Sequence, residues 1–319
     1  MSKYKVQPLE FSGLRTVPLG ARGGKVTTSL FAGAHRKGQS LGAWIDSLPK
    51  LLGADALRAV VEALESAKAK QRGILWGLGG HVIKCGLAPV LLDLMARGWA
   101  TGFAMNGAAA IHDFEIALAG HTSEEVEAVL PDGGFGAAEE TGRELNAALN
   151  EAARCGIGAG EALGRRLERL AAPQHAANSL LLGAWRAGVP VTVHIALGTD
   201  TPHTHPSADR AAIGAATHHD FRLLCAMVKG IHDGGAYLNM GSAVLLPEVF
   251  LRAVSSVRNL GHPLSAFTTA NLDFLQHYRP RVNVVERPHA QSGGRGYMLT
   301  GHHEILIPLL AAILIEREP

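Results

Sequence analysis

Cysteine is scarce in this chain: three in 319 residues, Cys85, Cys155 and Cys225, far apart and with no C-x-x-C pair. That number and spacing exclude a disulfide framework and a cysteine zinc knuckle. Aromatic residues make up only 5%, charged residues only 18%, and the formal net charge is +2. So even a balance leaves no electrostatic footprint for nucleic acid or for a membrane surface, and neither is expected as a partner. Long apolar runs are missing too. The longest, Ile305–Ile315, is about half of what spans a bilayer, and Met1-Ser2-Lys3-Tyr4-Lys5 lacks the apolar core of a secretory signal. A cytoplasmic protein is expected. The G-x-G-x-x-G dinucleotide fingerprint and the G-x-x-x-x-G-K-[ST] phosphate loop are both absent. There is no linker, low-complexity segment or internal repeat, so the expected organisation is an N-terminal extension over 1–40 and one α/β domain over 41–319.

What is abundant is glycine, 38 residues, within a chain that is 47% apolar. Short apolar runs alternate with helical patterns. Leu51, Leu52, Leu57, Val60, Val61 and Leu64 recur at helical spacing inside 41–69. Strands are expected at Gly73–Leu78, Gly102–Met105, Val189–Leu197, Ala236–Met240 and Ser265–Thr269. Helices are expected at Pro89–Arg97, from Asp113, at Glu139–Ala153, Gly160–Ala172, Ala177–Ala187, His218–Ile231, Pro247–Val257 and His303–Glu316. Strands alternating with helices predict a doubly wound, mostly parallel, Rossmann-like α/β sheet covered on both faces.

In such a sheet ligands lie beyond the carboxyl ends of the strands. The strand ends carry Gly79-Gly80-His81, Asn106-Gly107, Gly198-Thr199-Asp200, Gly241-Ser242 and Thr269-Ala270-Asn271, nearly all of them small or polar residues. Glycines that merely cap strands would read the same way at any one loop; five such loops together point to a ligand site. His112 and Asp113 follow the second turn closely, and a histidine beside a carboxylate suits proton transfer near neutral pH. Lys84, in a glycine-bounded apolar turn, is a candidate imine-forming or general-base lysine, or the partner of an acid or phosphate. Glu115 and Arg295 are candidate substrate contacts, Arg295 from a Ser292-Gly293-Gly294-Arg295-Gly296 loop that can close over an anionic ligand. His203 and His205, with Asp200 nearby, form an H-x-H pair that can hold a divalent ion or serve as plain polar loop residues. His302-His303 precede the last helix and either face a ligand or cap it.

In the order of these loops the chain resembles the deoxyhypusine synthase family over roughly residues 70–315. The family's Thr-Ser-Asn turn corresponds to Gly79-Gly80-His81, and its Thr-Ala-Gly-Gly turn with two following glutamates to Asn106-Gly107-Ala108 followed by His112-Asp113. Its Thr-Asp-Gly matches Thr199-Asp200, its glycine triplet Met240-Gly241-Ser242, its Asn-Thr-Ala turn Thr268-Thr269-Ala270, and its Asp-Ala His302-His303. The resemblance implies a Rossmann-like sheet, NAD as cofactor, and a homotetramer with sites between paired subunits. It also implies cofactor contacts at Gly79, Gly80, His81, Asn106, Gly107, Asp200, Gly241, Ser242, Thr269, Ala270, His302 and His303. The family's imine-forming lysine sits in a Ser-Trp-Gly-Lys segment, and the equivalent Ser292–Tyr297 stretch holds Arg295 and no lysine. A guanidinium stays protonated and does not form imines, so deoxyhypusine synthesis itself is not expected.

Three readings therefore stand. The first is an NAD(P)-binding enzyme acting on a small polar metabolite, a homo-oligomer (dimer or tetramer), with His112, Asp113 and Lys84 as catalytic groups. The second is a metal-dependent hydrolase or lyase built on His203, His205 and Asp200. The third is a catalytically silent ligand-binding protein of the same fold.

Overall fold

The computed structural model describes residues 2–318; Met1 and Pro319 lie outside them. Six strands run through it: β1 Ile74–Leu78, β2 Gly102–Asn106, β3 Val191–His194, β4 Ala236–Met240, β5 Thr268–Asp273 and β6 Arg295–Thr300. They form one all-parallel sheet in the order β3-β2-β1-β4-β5-β6. The first helices are α1 Leu41–Ser47, α2 Leu52–Ala69, α3 Gly80–Lys84, α4 Ala88–Ala96, α5 Gly107–Ala119, α6 Val126–Val129 and α7 Glu139–Cys155. There follow α8 Ala159–Leu170, α9 Leu180–Ala187, α10 Arg210–Lys229, α11 Leu245–Asn259, the single turn α12 Tyr278–Pro280 and α13 His303–Glu316. The Rossmann-like architecture is the one the strand–helix alternation predicts.

Side-chain alternation along the strands builds two cores. Trp76, Leu78, Phe103, Met105 and Leu238 point to one face, where α2, α4, α5, α9 and α13 pack. Leu75, Ala104 and Tyr237 point to the other, under Val228, Phe250 and Phe267. With both faces covered, the central strands read as continuous apolar runs. The bulky polar groups that enter these cores have partners or close neighbours. The Trp76 indole donates to the Trp99 carbonyl at 2.9 Å, and Tyr237 stacks on Phe250 with ring centroids 3.8 Å apart. Gly77 makes room for that tyrosine, since a Cβ there would stand 2.3 Å from its hydroxyl.

The β3 edge is closed by α10 rather than by another strand. Asp220 accepts from Val193 N at 2.7 Å and from Gly160 N at 2.9 Å. Thr217 accepts from Ile195 N at 3.0 Å and donates to Val193 O at 3.1 Å. Two helix side chains thus imitate a neighbouring strand and remove an exposed edge. Burial pushes the Asp220 carboxyl up to about 7, against the pull of its backbone donors.

Several boundaries differ from expectation for identifiable reasons. The helical pattern over 41–69 is two helices, because Arg58 turns back to cap α1 through the carbonyls of Leu48 (2.5 Å), Pro49 (2.7 Å) and Ile45 (3.2 Å). α5 starts at Gly107, capped by Asn106, rather than near Asp113. α10 starts at Arg210, not His218, because the Asp209 side chain caps it. β5 lies three residues later than its apolar run suggests, and Arg295 opens β6 instead of sitting in a mobile loop. Before Leu41 the described residues are mostly exposed and form only two short 3-10 turns, Leu19–Ala21 and Thr28–Leu30. Among the described residues no helix is long and apolar enough to cross a membrane.

Candidate functional site

The strand order reverses between β1 and β4, so the chain leaving β1 goes one way and the chain leaving β4 the other. The crevice between them is where a doubly wound sheet binds ligands. Gly79 and Gly241 meet there. Gly79 N donates to Met240 O at 2.8 Å, and a Cβ on Gly79 would fall 2.0 Å from Gly241 O. Gly241 has φ +67, open to glycine at little cost, and a Cβ there would stand 3.1 Å from His303 Cε1. Both positions therefore demand glycine, and bare backbone forms this part of the crevice. Ser242, next in sequence, is spent on structure: its Oγ accepts from Leu246 N at 3.1 Å.

Gly80 lets α3 lie against α5. A Cβ at that position would be 3.0 Å from Ala108 Cβ and 3.2 Å from His112 Cδ2. This contact brings His112 beside the glycine pair. The His112 Nδ1 lies 2.7 Å from Thr122 Oγ1, and the Thr122 hydroxyl donates to Glu115 Oε2. Thr141 holds the other Glu115 oxygen with a 3.0 Å bond. Because the Thr122 proton goes to the carboxylate, its oxygen is left to accept, which assigns the His112 proton to Nδ1 and a free lone pair to Nε2. Burial lowers the His112 pKa; Glu115 opposes that and the Lys84 ammonium reinforces it. The ring is neutral at pH 7 and able to accept a proton.

Asn106 caps α5 by accepting from Ala109 N at 2.9 Å. Gly107 is glycine because the Asp200 carboxylate occupies the space, its Oδ2 only 1.9 Å from where a Cβ would sit. Asp200 also accepts from Ala196 N at 2.9 Å, and burial raises its pKa. An acid thus stands over the positive end of α5, where it is electrostatically favoured.

Asp113 does not join this group. It is fully buried and turned toward α9, accepting from Ser179 Oγ at 2.6 Å, Leu180 N at 2.7 Å and Leu181 N at 3.0 Å. Adjacent residues of a helix point in different directions, and His112 took the crevice side. Thr269 and Ala270 lie inside β5 and not in a turn beyond it. Thr269 donates to Val284 O at 2.6 Å and pairs with His289 Nε2 at 2.7 Å, and Ala270 packs in the first core. Arg295 lies at the opposite, amino end of its strand, its guanidinium 5.6 Å from the Tyr297 ring centre. His205 bridges Glu139 (3.1 Å) and Ser207 (2.7 Å). His203 lies near Asp200, which opposes the lowering of its pKa by burial. His203, His205 and Asp200 do not draw together into a three-ligand group among the described residues. His302 is exposed and stacks on Phe274 at 5.8 Å, while His303 is buried, its Nε2 3.0 Å from Leu272 O.

Of the polar residues gathered at the strand ends, the sequence analysis names Asn271 and His303 but misses His194, Asn239, Asp273 and Gln276. Asn239 donates to Ser242 O at 2.9 Å and Asn271 Oδ1 at 2.7 Å, and Asn271 donates to Gln276 at 2.7 Å. Asp273 Oδ1 is 3.9 Å from His303 Nε2. Neither Asn239 Oδ1 nor His303 Nδ1 has a hydrogen-bond partner among the described residues, although both are buried. His194, at the end of β3, is buried with its pKa pushed down to about 4. The available signal was a polar residue, His194, Asn239 or Asp273, at or next to the end of each of three strands.

No family model matches the chain, and no curated protein matches it in sequence. Solved structures match in fold. A provisionally assigned, conserved LOR/SDH protein from Methanococcus maripaludis S2 is 14% identical with a TM-score of 0.51, over 84% of this chain and 71% of that one. AgrE, in a ternary complex with ornithine and NAD+, is 14% identical with a TM-score of 0.51, over 82% of this chain and 32% of AgrE. A provisionally assigned deoxyhypusine synthase from Entamoeba histolytica is 11% identical with a TM-score of 0.51, over 88% of this chain and 95% of that one. The chain shares their fold, in agreement with the resemblance seen in its loop order, and it spans about a third of AgrE's length.

Proposed function

We propose that the chain is a nicotinamide-dinucleotide-binding enzyme that removes a proton from a small polar metabolite, with His112 as general base. The observation that carries this reading is the Glu115–Thr122–His112 chain, which leaves His112 Nε2 as an acceptor beside the glycines of the switch point. Glu115 and Thr122 act through His112 and fix its tautomer; Lys84 helps keep the ring neutral. Gly79, Gly80 and Gly241 let backbone and helix pack closely at the switch point, which is where a doubly wound sheet takes a dinucleotide. The unpaired acceptors on Asn239 and His303 suit the N–H groups of a carboxamide or amine. When bound, such a cofactor supplies reversible two-electron hydride transfer. AgrE was crystallised with NAD+ and ornithine, which adds weight to a dinucleotide on this fold. Deoxyhypusine synthesis stays outside the proposal, since Arg295 lies at the wrong end of β6 and forms no imine.

The test is a melting series with NAD+ and NADP+. A ligand at about 100 times its dissociation constant stabilises the folded state by about 2.7 kcal/mol. An upward shift with either dinucleotide is expected, retained in His112→Gln; no shift with either one sinks the dinucleotide reading. Native mass spectrometry of the same sample reads the homo-oligomer that belongs to this proposal.

A further inference from the structure

His81 lies in α3 and Cys85, four residues on, caps its C-terminus with its N–H donating to His81 O at 2.9 Å, so the two side chains come together on one side of the turn. Glu304, in the first turn of α13, meets them from across the carboxyl edge of the sheet. His81 Nε2 is 3.3 Å from Cys85 Sγ, and Cys85 Sγ is 3.7 Å from Glu304 Oε2. All three ligand atoms lie within 4.8 Å of one another. Zinc bonds of about 2.0 Å to nitrogen and oxygen and about 2.3 Å to sulfur place tetrahedral ligand atoms about 3.3–3.6 Å apart. The 3.3 and 3.7 Å separations bracket that range. A small rotation of exposed side chains brings in the third.

We infer that His81, Cys85 and Glu304 form a zinc-type divalent metal site, with its fourth position open to water or to a ligand of the crevice. One nitrogen, one sulfur and one carboxylate oxygen favour a borderline ion over magnesium or calcium, which take oxygen alone. The site would bridge α3 to α13 and thereby tie together two elements that flank Gly79 and Gly241. His303 lies behind it, its ring centre 5.5 Å from that of His81. His302 stands beside it, with Nδ1 3.9 Å from Glu304 Oε1. Metal binding breaks the Cys85 S–H bond and forms an S–metal bond, the proton passing to solvent with no change in oxidation state. The site does not depend on the dinucleotide proposal, and its test uses neither a cofactor nor turnover.

The experiment takes the full chain, reduced and stripped with a chelator, and titrates it with Zn2+ against a chromophoric competitor and with Co2+ by absorbance. One Zn2+ per chain is expected, with a tetrahedral cobalt spectrum carrying a thiolate-to-cobalt band. Cys85→Ser should abolish that band. His81→Ala and Glu304→Gln should each weaken zinc by about 100-fold or more, beyond what removal of an outer partner costs. The double variant His203→Ala, His205→Ala should bind as the parent does. No retained zinc, a cobalt spectrum without the thiolate band, or loss of zinc in the His203/His205 variant instead would overturn the assignment. The parent spectrum decides whether a cysteine binds, and Cys155→Ser and Cys225→Ser, which should both keep the band, assign it to Cys85 whatever the folding of Cys85→Ser.

Discussion

Asp113 separates a structural role from a catalytic one, and Asp113→Ala tests which it has. The carboxylate takes two backbone donors at the start of α9, Leu180 N and Leu181 N, and the Ser179 hydroxyl. Ser179 Oγ keeps its own bond to Leu182 N, so alanine strands chiefly the two backbone N–H groups. Each buried unpaired donor costs about 1–3 kcal/mol, so the expected loss is about 2–6 kcal/mol. The pH dependence adds a second signature. Burial raises the Asp113 pKa from 3.8 to about 6, so between those values the folded chain keeps a proton that the unfolded chain has released. Stability from this group therefore falls as pH rises through that window, by about 3 kcal/mol in all, and is flat outside it. Melting curves of the parent, Asp113→Ala and Asp113→Asn from pH 4 to 8 read both effects. The stability difference between the parent and Asp113→Asn should fall by about 3 kcal/mol across the window, because Asp220, whose raised pKa lowers stability there, and His194 and His289, whose pKa values near 4 raise it, act alike in both proteins. An Asp113→Asn protein with the parent's melting profile at every pH, but no dinucleotide-induced shift, would falsify the capping role.

Gly79→Ala puts a methyl 2.0 Å from Gly241 O, so backbone must move at the switch point; it should melt lower and lose its shift with dinucleotide, whereas Gly53→Ala, whose Cβ meets nothing within 4 Å, should change neither. Lys84→Ala removes one of the two influences that lower the His112 pKa, so the His112 ring should titrate at higher pH by NMR, and an unmoved titration would separate the two residues. Asp220→Ala should speed hydrogen exchange at Val193 and Gly160, whose amides it holds; exchange equal to the parent's would mean the β3 edge is closed by packing alone.

The sheet was legible because its central strands are short apolar runs buried on both faces, a pattern that needs no long-range information. Ala236–Met240 was read to the residue, and the neighbouring runs to within a few. β5 was misplaced because its buried second half, Ala270-Asn271-Leu272-Asp273, looks like a polar turn. Its asparagine is satisfied by Asn239 and Gln276, one on the next strand and one beyond the strand's own end, and local sequence shows neither partner. His112 and Asp113 illustrate the same limit at the site. Composition marked the pair as chemical, but only the packing of α3 through Gly80 and the start of α9 at Ser179 decides which faces the crevice. Cys85 and Glu304 lie 219 positions apart, so no spacing rule joins them.

The two sides of the crevice differ in polarity, and that difference constrains how a dinucleotide could lie in it. A pyrophosphate is favoured at a free helix N-terminus, yet the α5 terminus is already held by the Asn106 side chain and faced by the Asp200 carboxylate. A second anion there would meet like charge in a buried setting, which is costly. The opposite side offers the bare backbone of Gly79 and Gly80 and the Lys84 ammonium on α3. In the proposed enzyme the anionic part of the ligand therefore belongs on the α3 side, and groups that donate hydrogen bonds belong toward Asp200. Asp200→Asn separates this arrangement from its reverse. Relieving the like charge should leave dinucleotide affinity unchanged or higher if the phosphates lie by α3 and the acid contacts only donors weakly. A large loss in both NAD+ and inorganic pyrophosphate binding would place the phosphates at α5 and refute the arrangement.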